Sequence, residues 1–162
     1  MKEKRFALFL ITSVLLFTLC LGGCARKITA CPFSDLRWDA TEEELIEVQS
    51  LDTTESLYGG NSYTGYREYL GNSGVIKYHF NTDQELAAIS WSFEGEPEEV
   101  DAVFTQLVQA TNKYLGRNTG VDTTGVNNFG RVWETEDIKA VVAVVTSSDY
   151  NAVQILYTVN GR

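Results

Sequence analysis

The sequence predicts an α+β domain, an antiparallel sheet with two helices packed on one of its faces. Three observations predict it. Segments 42–50 and 97–115 place apolar residues at helical spacing behind clear helix-start signals, whereas the runs at 75–80, 86–93 and 130–159 read as strands, the first two alternating at period two. The strands come in unbroken groups, the order that stacks helices on one side of an antiparallel sheet.

The chain has 162 residues, and the first 23 read as an export signal. Lys2, Lys4 and Arg5 form a positive start, and the apolar run from Phe6 to Leu21 follows, cut short by Gly22-Gly23 and by Arg26-Lys27. A spanning helix needs about 20 apolar residues, so a permanent span is the weaker reading. The junction Leu21-Gly22-Gly23-Cys24 resembles the lipobox of bacterial lipoproteins. Small side chains admit the peptidase, and the Cys24 thiol takes the lipid before becoming the mature N-terminus. More than one acyl chain gives stable anchoring. The expected location is the cell membrane or outer membrane, on the extracytoplasmic side.

Removing 23 residues leaves 162 − 23 = 139, enough for one domain, and takes away three basic groups and one acid. The mature chain then has 10 basic and 21 acidic side chains, a formal charge of −11. Such a surface repels nucleic acid, and 44% hydrophobic residues with two prolines over the full 162 residues argue against disorder. Cys20 leaves with the signal and Cys24 is acylated, so Cys31 has no partner for a disulfide. It reads as a small apolar residue at the entrance to the domain.

Residues 24–32 form a short membrane-proximal tether, and 33–162 form the domain. Thr41-Glu-Glu-Glu44 before Leu45 and Ile46 matches a capping box, opening a helix over about 42–50. Ser56-Leu-Tyr58 and Tyr66-Arg-Glu-Tyr69 suggest one or two strands. Ile76, Tyr78 and Phe80 share one face of the next strand; Ala87, Ile89, Trp91 and Phe93 share one face of its partner, with a turn at 81–85 between them. Pro97 opens the clearest helix at its first position. Val100, Val103, Phe104, Leu107, Val108 and Thr111 form its apolar stripe, and Gly116 is its stop. A loop over 116–130 leads to strands at about 130–135, 138–146 and 151–159.

The halves look related. Arg67-Glu-Tyr69 precedes Ile76-Lys77 and a hairpin as Arg131-Val-Trp133 precedes Ile138-Lys139 and a hairpin, giving pseudo-repeats at about 33–93 and 97–159.

The chemical inventory is thin. His79, the only histidine, sits mid-strand with parity opposite to Tyr78, which turns it to solvent or a partner. No nucleophile elbow accompanies it, and Cys31 and His79 alone make a poor transition-metal set. No catalytic residue, metal site or cofactor is therefore assigned. The acids around Pro97 are explained by the helix start.

Two features fit a binding module. Tyr58, Tyr63, Tyr66 and Tyr69 crowd a Gly/Asn/Ser-rich segment, a composition of contact surfaces as well as of sheet packing. Ala140 to Val145 is apolar on both parities, so Val141 and Val145 call for a cover or a partner on the second face. Tyr58, Tyr63, Tyr66, Val141 and Val145 are the candidate contact residues.

The stretch Phe33-Ser-Asp-Leu-Arg-Trp38-Asp-Ala-Thr-Glu-Glu-Glu-Leu45, followed by the hairpin through Phe80 and Ile89, resembles the opening of small exported domains of the BamE and β-lactamase-inhibitor-protein-like group. Asp39 stands where that pattern commonly has glycine. The resemblance implies a non-catalytic protein that binds or scaffolds other envelope proteins through its sheet. The alternative is a cell-wall or glycan-binding or hydrolysing module using paired carboxylates and the tyrosine-rich segment 58–69.

Overall fold

The computed structural model describes residues 30–48, 51–122 and 128–162. The expected signal segment, Cys24 and most of the expected tether 24–32 lie outside them. The elements run α1 (Glu42–Val48), β1 (Asp52–Glu55), β2 (Gly59–Tyr69), β3 (Asn72–Asn81), β4 (Leu86–Glu94), α2 (Pro97–Leu115), β5 (Gly120–Asp122), β6 (Asn128–Glu134), β7 (Ile138–Thr146) and β8 (Asn151–Val159). All the strands join one eight-stranded antiparallel sheet in the order β1-β2-β3-β4-β8-β7-β6-β5. The protein is thus mostly sheet with some helix. Two successive four-stranded meanders meet where β4 pairs with β8, with Ile89 opposite Tyr157 and Trp91 opposite Ile155.

Both helix starts follow their sequence signals. The Thr41 amide donates to Glu44 Oε2 at 2.9 Å and the Glu44 amide to Thr41 Oγ1 at 3.4 Å, closing the capping box. Pro97 opens α2, where the Glu96 amide donates to the Glu99 carboxylate at 3.0 Å. Val100, Val103, Leu107 and Thr111 are the buried stripe of α2.

The strands depart from expectation in three places. Ser56, Leu57 and Tyr58 form the turn between β1 and β2 instead of a strand, because the Ser56 amide pairs with the Gly60 carbonyl at 2.8 Å and closes the hairpin there. A register shift between His79 and Phe80 sets Leu86 opposite Phe80 and leaves Ala87 as the extra residue. The expected loop after Gly116 contains β5, and β6 begins two residues early at Asn128.

Cross-strand register separates the sheet's faces. The inner face carries Ile76, Tyr78, Ile89, Trp91, Ile155, Tyr157, Ala140 and Val142, all buried in one cluster with Leu45 of α1 and Val100, Val103 and Leu107 of α2. Gly74 lets the Trp91 indole lie across β3. A Cβ there would stand 2.4 Å from Trp91 Cε2, and the indole N–H reaches the Arg67 carbonyl on β2 at 2.9 Å. Thr111 of α2 meets the Tyr157 hydroxyl at 3.3 Å, and the Trp133 indole of β6 donates to Asn112 Oδ1 at 3.0 Å and to the Gly116 carbonyl at 3.1 Å. The C-terminal end of α2 is thereby fixed to the second meander.

The segment from Ala30 to Ala40 lies against this layer. Phe33 rests 5.1 Å from Tyr69 and 5.7 Å from Tyr157 between ring centroids, and Trp38 lies 6.0 Å from Tyr157. Cys31 is buried, and burial pushes its thiol well above the ordinary range, so it packs as an inert apolar group. At the other terminus, Arg162 donates to the Trp38 carbonyl at 2.9 Å.

Candidate functional site

The outer face of the sheet is built by the residues alternating with the core positions. Val132, Val141 and Leu156 stand side by side across β6, β7 and β8, and the row continues through Ser90 to Lys77. A second row runs Gly130, Ala143, Gln154, Ser92, Val75, Tyr66. Val75, Val132, Val141, Ala143 and Leu156 are half-buried; Val145 and Tyr66 are exposed, Tyr66 at 86%. Strands about 4.8 Å apart give the three-residue apolar strip a width of about 10 Å. It is the only run of adjoining large aliphatic side chains on the outer face among the described residues. Small neighbours such as Ala143, Ala152, Ser90 and Ser92 keep the surface around it low.

Of the five candidate contact residues, the structure brings four to this face and places one in the core. Val141 and Val145 stand at alternate positions on β7, and Tyr66 projects from β2, four strands and about 19 Å away. Tyr58 leans from the β1–β2 turn onto His79, with 5.7 Å between ring centroids. Tyr63 points inward instead, edge-on to Phe80 at 5.9 Å, and is buried. The register shift between Gly59 and Ser62 sets its facing, and its hydroxyl donates to Glu42 Oε1. Tyr69 also faces the core, against Phe33 and Trp91. The four tyrosines of segment 58–69 therefore do not gather into one patch.

Glu42 is the buried acid among the described residues. Asn61 Nδ2 donates to the same oxygen as Tyr63, at 2.7 Å. Both donors hold the carboxylate in the fold, tying α1 to β2, and burial together with Glu42 pushes the Tyr63 phenol up to about 12. The helix-start pattern Thr41-Glu-Glu-Glu44 marks Glu42 only as a first-turn acid; the contact with β2 comes from tertiary structure.

His79 has the outward parity expected, yet it is 8% exposed. It lies between Ser62 and Ala88 on neighbouring strands, with Tyr58 against its ring. Its Nδ1 has no hydrogen-bond partner among the described residues. Burial, then the Lys77 charge on the same strand, lower its pKa to about 4, so it is neutral at neutral pH.

Among the described residues, no group of three or more His, Cys, Asp or Glu side chains is placed to hold a metal ion, and no helix is long and apolar enough to cross a membrane. The Cys24 assignment lies outside the described residues. Sequence reading missed Val132 and Leu156. Once β8 is seen to insert between β4 and β7, parity alone puts Leu156 beside Val141.

No protein family, curated protein or solved structure matches the chain.

Proposed function

We propose that this is a lipid-anchored, non-catalytic protein of the bacterial envelope that acts by binding another envelope protein through the outer face of its sheet. The observation that carries the reading is the contiguous strip Val132, Val141 and Leu156 on a half-exposed sheet face. An antiparallel sheet with one wet face normally alternates apolar and polar residues; three adjoining aliphatic side chains there favour a protein partner. Support for the address comes from the lipobox-like Leu21-Gly22-Gly23-Cys24. The inert Cys31 and the carboxylate of Glu42, engaged by its neighbours, offer no competing chemistry.

The architecture is read as a duplicated unit, a helix followed by four antiparallel strands, with both helices on the inner face. The mirrored strand order about the β4–β8 seam and the inner-face contacts of Leu45, Thr111 and Glu42 support it. The sheet-binding habit implied by the BamE and β-lactamase-inhibitor-protein-like resemblance agrees with this layout, and rests on the residues quoted above.

A photoactivatable residue at Val141, compared with one at Gln109 on the exposed side of α2, tests the function. A discrete adduct with one envelope protein from position 141, absent from 109 and lost in Val145→Lys, is expected. The same adducts from both positions overturn the assignment.

A further inference from the structure

Charge is unevenly spread over this acidic chain, and the unevenness follows α2. Glu94, Glu96, Glu98, Glu99 and Asp101, all exposed, surround its N-terminal end, while Lys113 and Arg117 stand exposed at its C-terminal end. Neither Lys113 nor Arg117 forms an ion pair with a described residue. The helix dipole accounts for Lys113 in the last turn, but not for Arg117, which lies beyond the Gly116 stop.

The N-terminal chain enters the fold at this basic end. The Tyr114 hydroxyl, flanked by Lys113, donates to the Ala30 carbonyl, and Ala30 bridges to Arg37. The Trp38 indole joins the same point, 3.3 Å from the Tyr114 hydroxyl. Five residues lie between Cys24 and Ala30, six steps along the chain and a reach of about 20 Å at full extension. Two further basic residues, Arg26 and Lys27, lie within that stretch.

We infer that the C-terminal corner of α2, with Lys113 and Arg117, rests against an anionic bilayer surface, and that the acidic N-terminal end of the helix points away from it. This rests on the lipid-anchor reading. The occupant is a bilayer because the tether confines the entry point to within about 20 Å of the acylated residue. It is an anionic one because basic side chains near such a surface are each attracted to it, while the acidic end is repelled. Arg37 and Arg162 add little, being paired with Asp39 at 2.9 Å and Glu85 at 3.7 Å. Asp83, Glu136 and Asp137 occupy sheet turns at the same end of the molecule, where Glu134 of β6 and Glu43 and Glu44 of α1 are also exposed. Their repulsion tilts the sheet off the bilayer, so that the helix corner makes the contact and the outer sheet face stays open to a partner.

The test uses the full-length acylated protein in vesicles, with a donor dye on Gln109→Cys or on Glu98→Cys, sites about 16 Å apart along α2, and an acceptor on lipid headgroups. Cys31 is buried and leaves the new thiol as the labelling site. In phosphatidylglycerol-containing vesicles, transfer from position 109 should exceed that from 98, which lies about 16 Å farther along the helix. The contrast should shrink to what the tether alone imposes in phosphatidylcholine vesicles, at salt well above the 0.1 M at which screening length is about 10 Å, and in the double variant K113E/R117E. Equal transfer from both sites in acylated protein, or a contrast indifferent to lipid charge, overturns the orientation alone. Mass spectrometry showing Cys24 without lipid overturns the anchor and the orientation with it.

Discussion

The Tyr63 hydroxyl donates to the carboxylate of Glu42, and both groups are buried. This bond joins the first turn of α1 to β2 across 21 residues of sequence. Its partners differ in what they can lose. Glu42 keeps Asn61 as a second donor if the phenol is removed, whereas the phenol loses the acceptor given to it here if the carboxylate is removed. Tyr63→Phe should cost about 1.5–3 kcal/mol, the range for one hydrogen bond to a charged group. Chemical denaturation at neutral pH measures it, and a change within a few tenths of a kcal/mol would mean that the bond contributes nothing.

The same pair has an alkaline signature. A phenol held at about 12 in the fold, against 10 when free, contributes stability that is complete below pH 10 and fades as pH rises through 12. Ionised Tyr63 would face the Glu42 carboxylate, two negative charges in one buried site. Tyr69 is likewise held at about 12, so the wild type alone cannot isolate the effect. The difference in melting temperature between wild type and Tyr63→Phe should therefore shrink between pH 10 and 12.

His79 supplies the acidic counterpart. Its pKa is lowered to about 4 by burial and by Lys77, so the stability tied to the neutral ring is complete above pH 6.5 and is lost as pH falls through 4. His79→Leu removes the titration and keeps an apolar group under Tyr58. Its unfolding free energy should change less between pH 6.5 and 4 than that of the wild type, by up to about 3 kcal/mol. Parallel pH profiles for the two proteins would contradict the burial of the ring.

Two backbone positions test the packing with opposite signs. A Cβ at residue 74 would meet Trp91 Cε2 at 2.4 Å and the Ser92 carbonyl oxygen at 2.5 Å, so Gly74→Ala should cost about 2–3 kcal/mol as an overpacked site. Leu70 and Gly71 form the β2–β3 turn with φ of 54° and 79°. A two-residue hairpin turn with both φ positive suits Asn or Gly, and leucine there is strained. Leu70→Asn should therefore stabilise the protein, by about 0.5–1 kcal/mol.

Much of this architecture was legible in the residues, because α2 and the central strands carry strong periodic patterns that tertiary context reinforces. Pro97 and the stripe from Val100 to Thr111 mark one helix without ambiguity, and the alternation of Ile76, Tyr78 and Phe80 sets the faces of β3. What escaped notice lacks such a pattern. β1 is Asp52-Thr-Thr-Glu55, exposed throughout at the sheet's edge, so no apolar residue announces it. β5 has three residues inside a Gly- and Thr-rich stretch. The tyrosines at 58, 63, 66 and 69 are chemically alike, and only the turn at Ser56 and the register of β2 send Tyr63 and Tyr69 inward and Tyr66 outward. Two-sided apolarity of β7 was visible, but Leu156 beside Val141 required the strand order. Glu42 looked like any first-turn acid until β2 brought Asn61 and Tyr63 to it.

The envelope address, and the bilayer orientation built on it, begin from the chemistry of one residue, Cys24, so the mature N-terminal peptide of protein purified from a bacterial envelope is the most direct test. This peptide should start at Cys24 and carry diacylglycerol on its sulfur. A mature N-terminus at any other residue, or a peptide with a free Cys24 thiol, would contradict it.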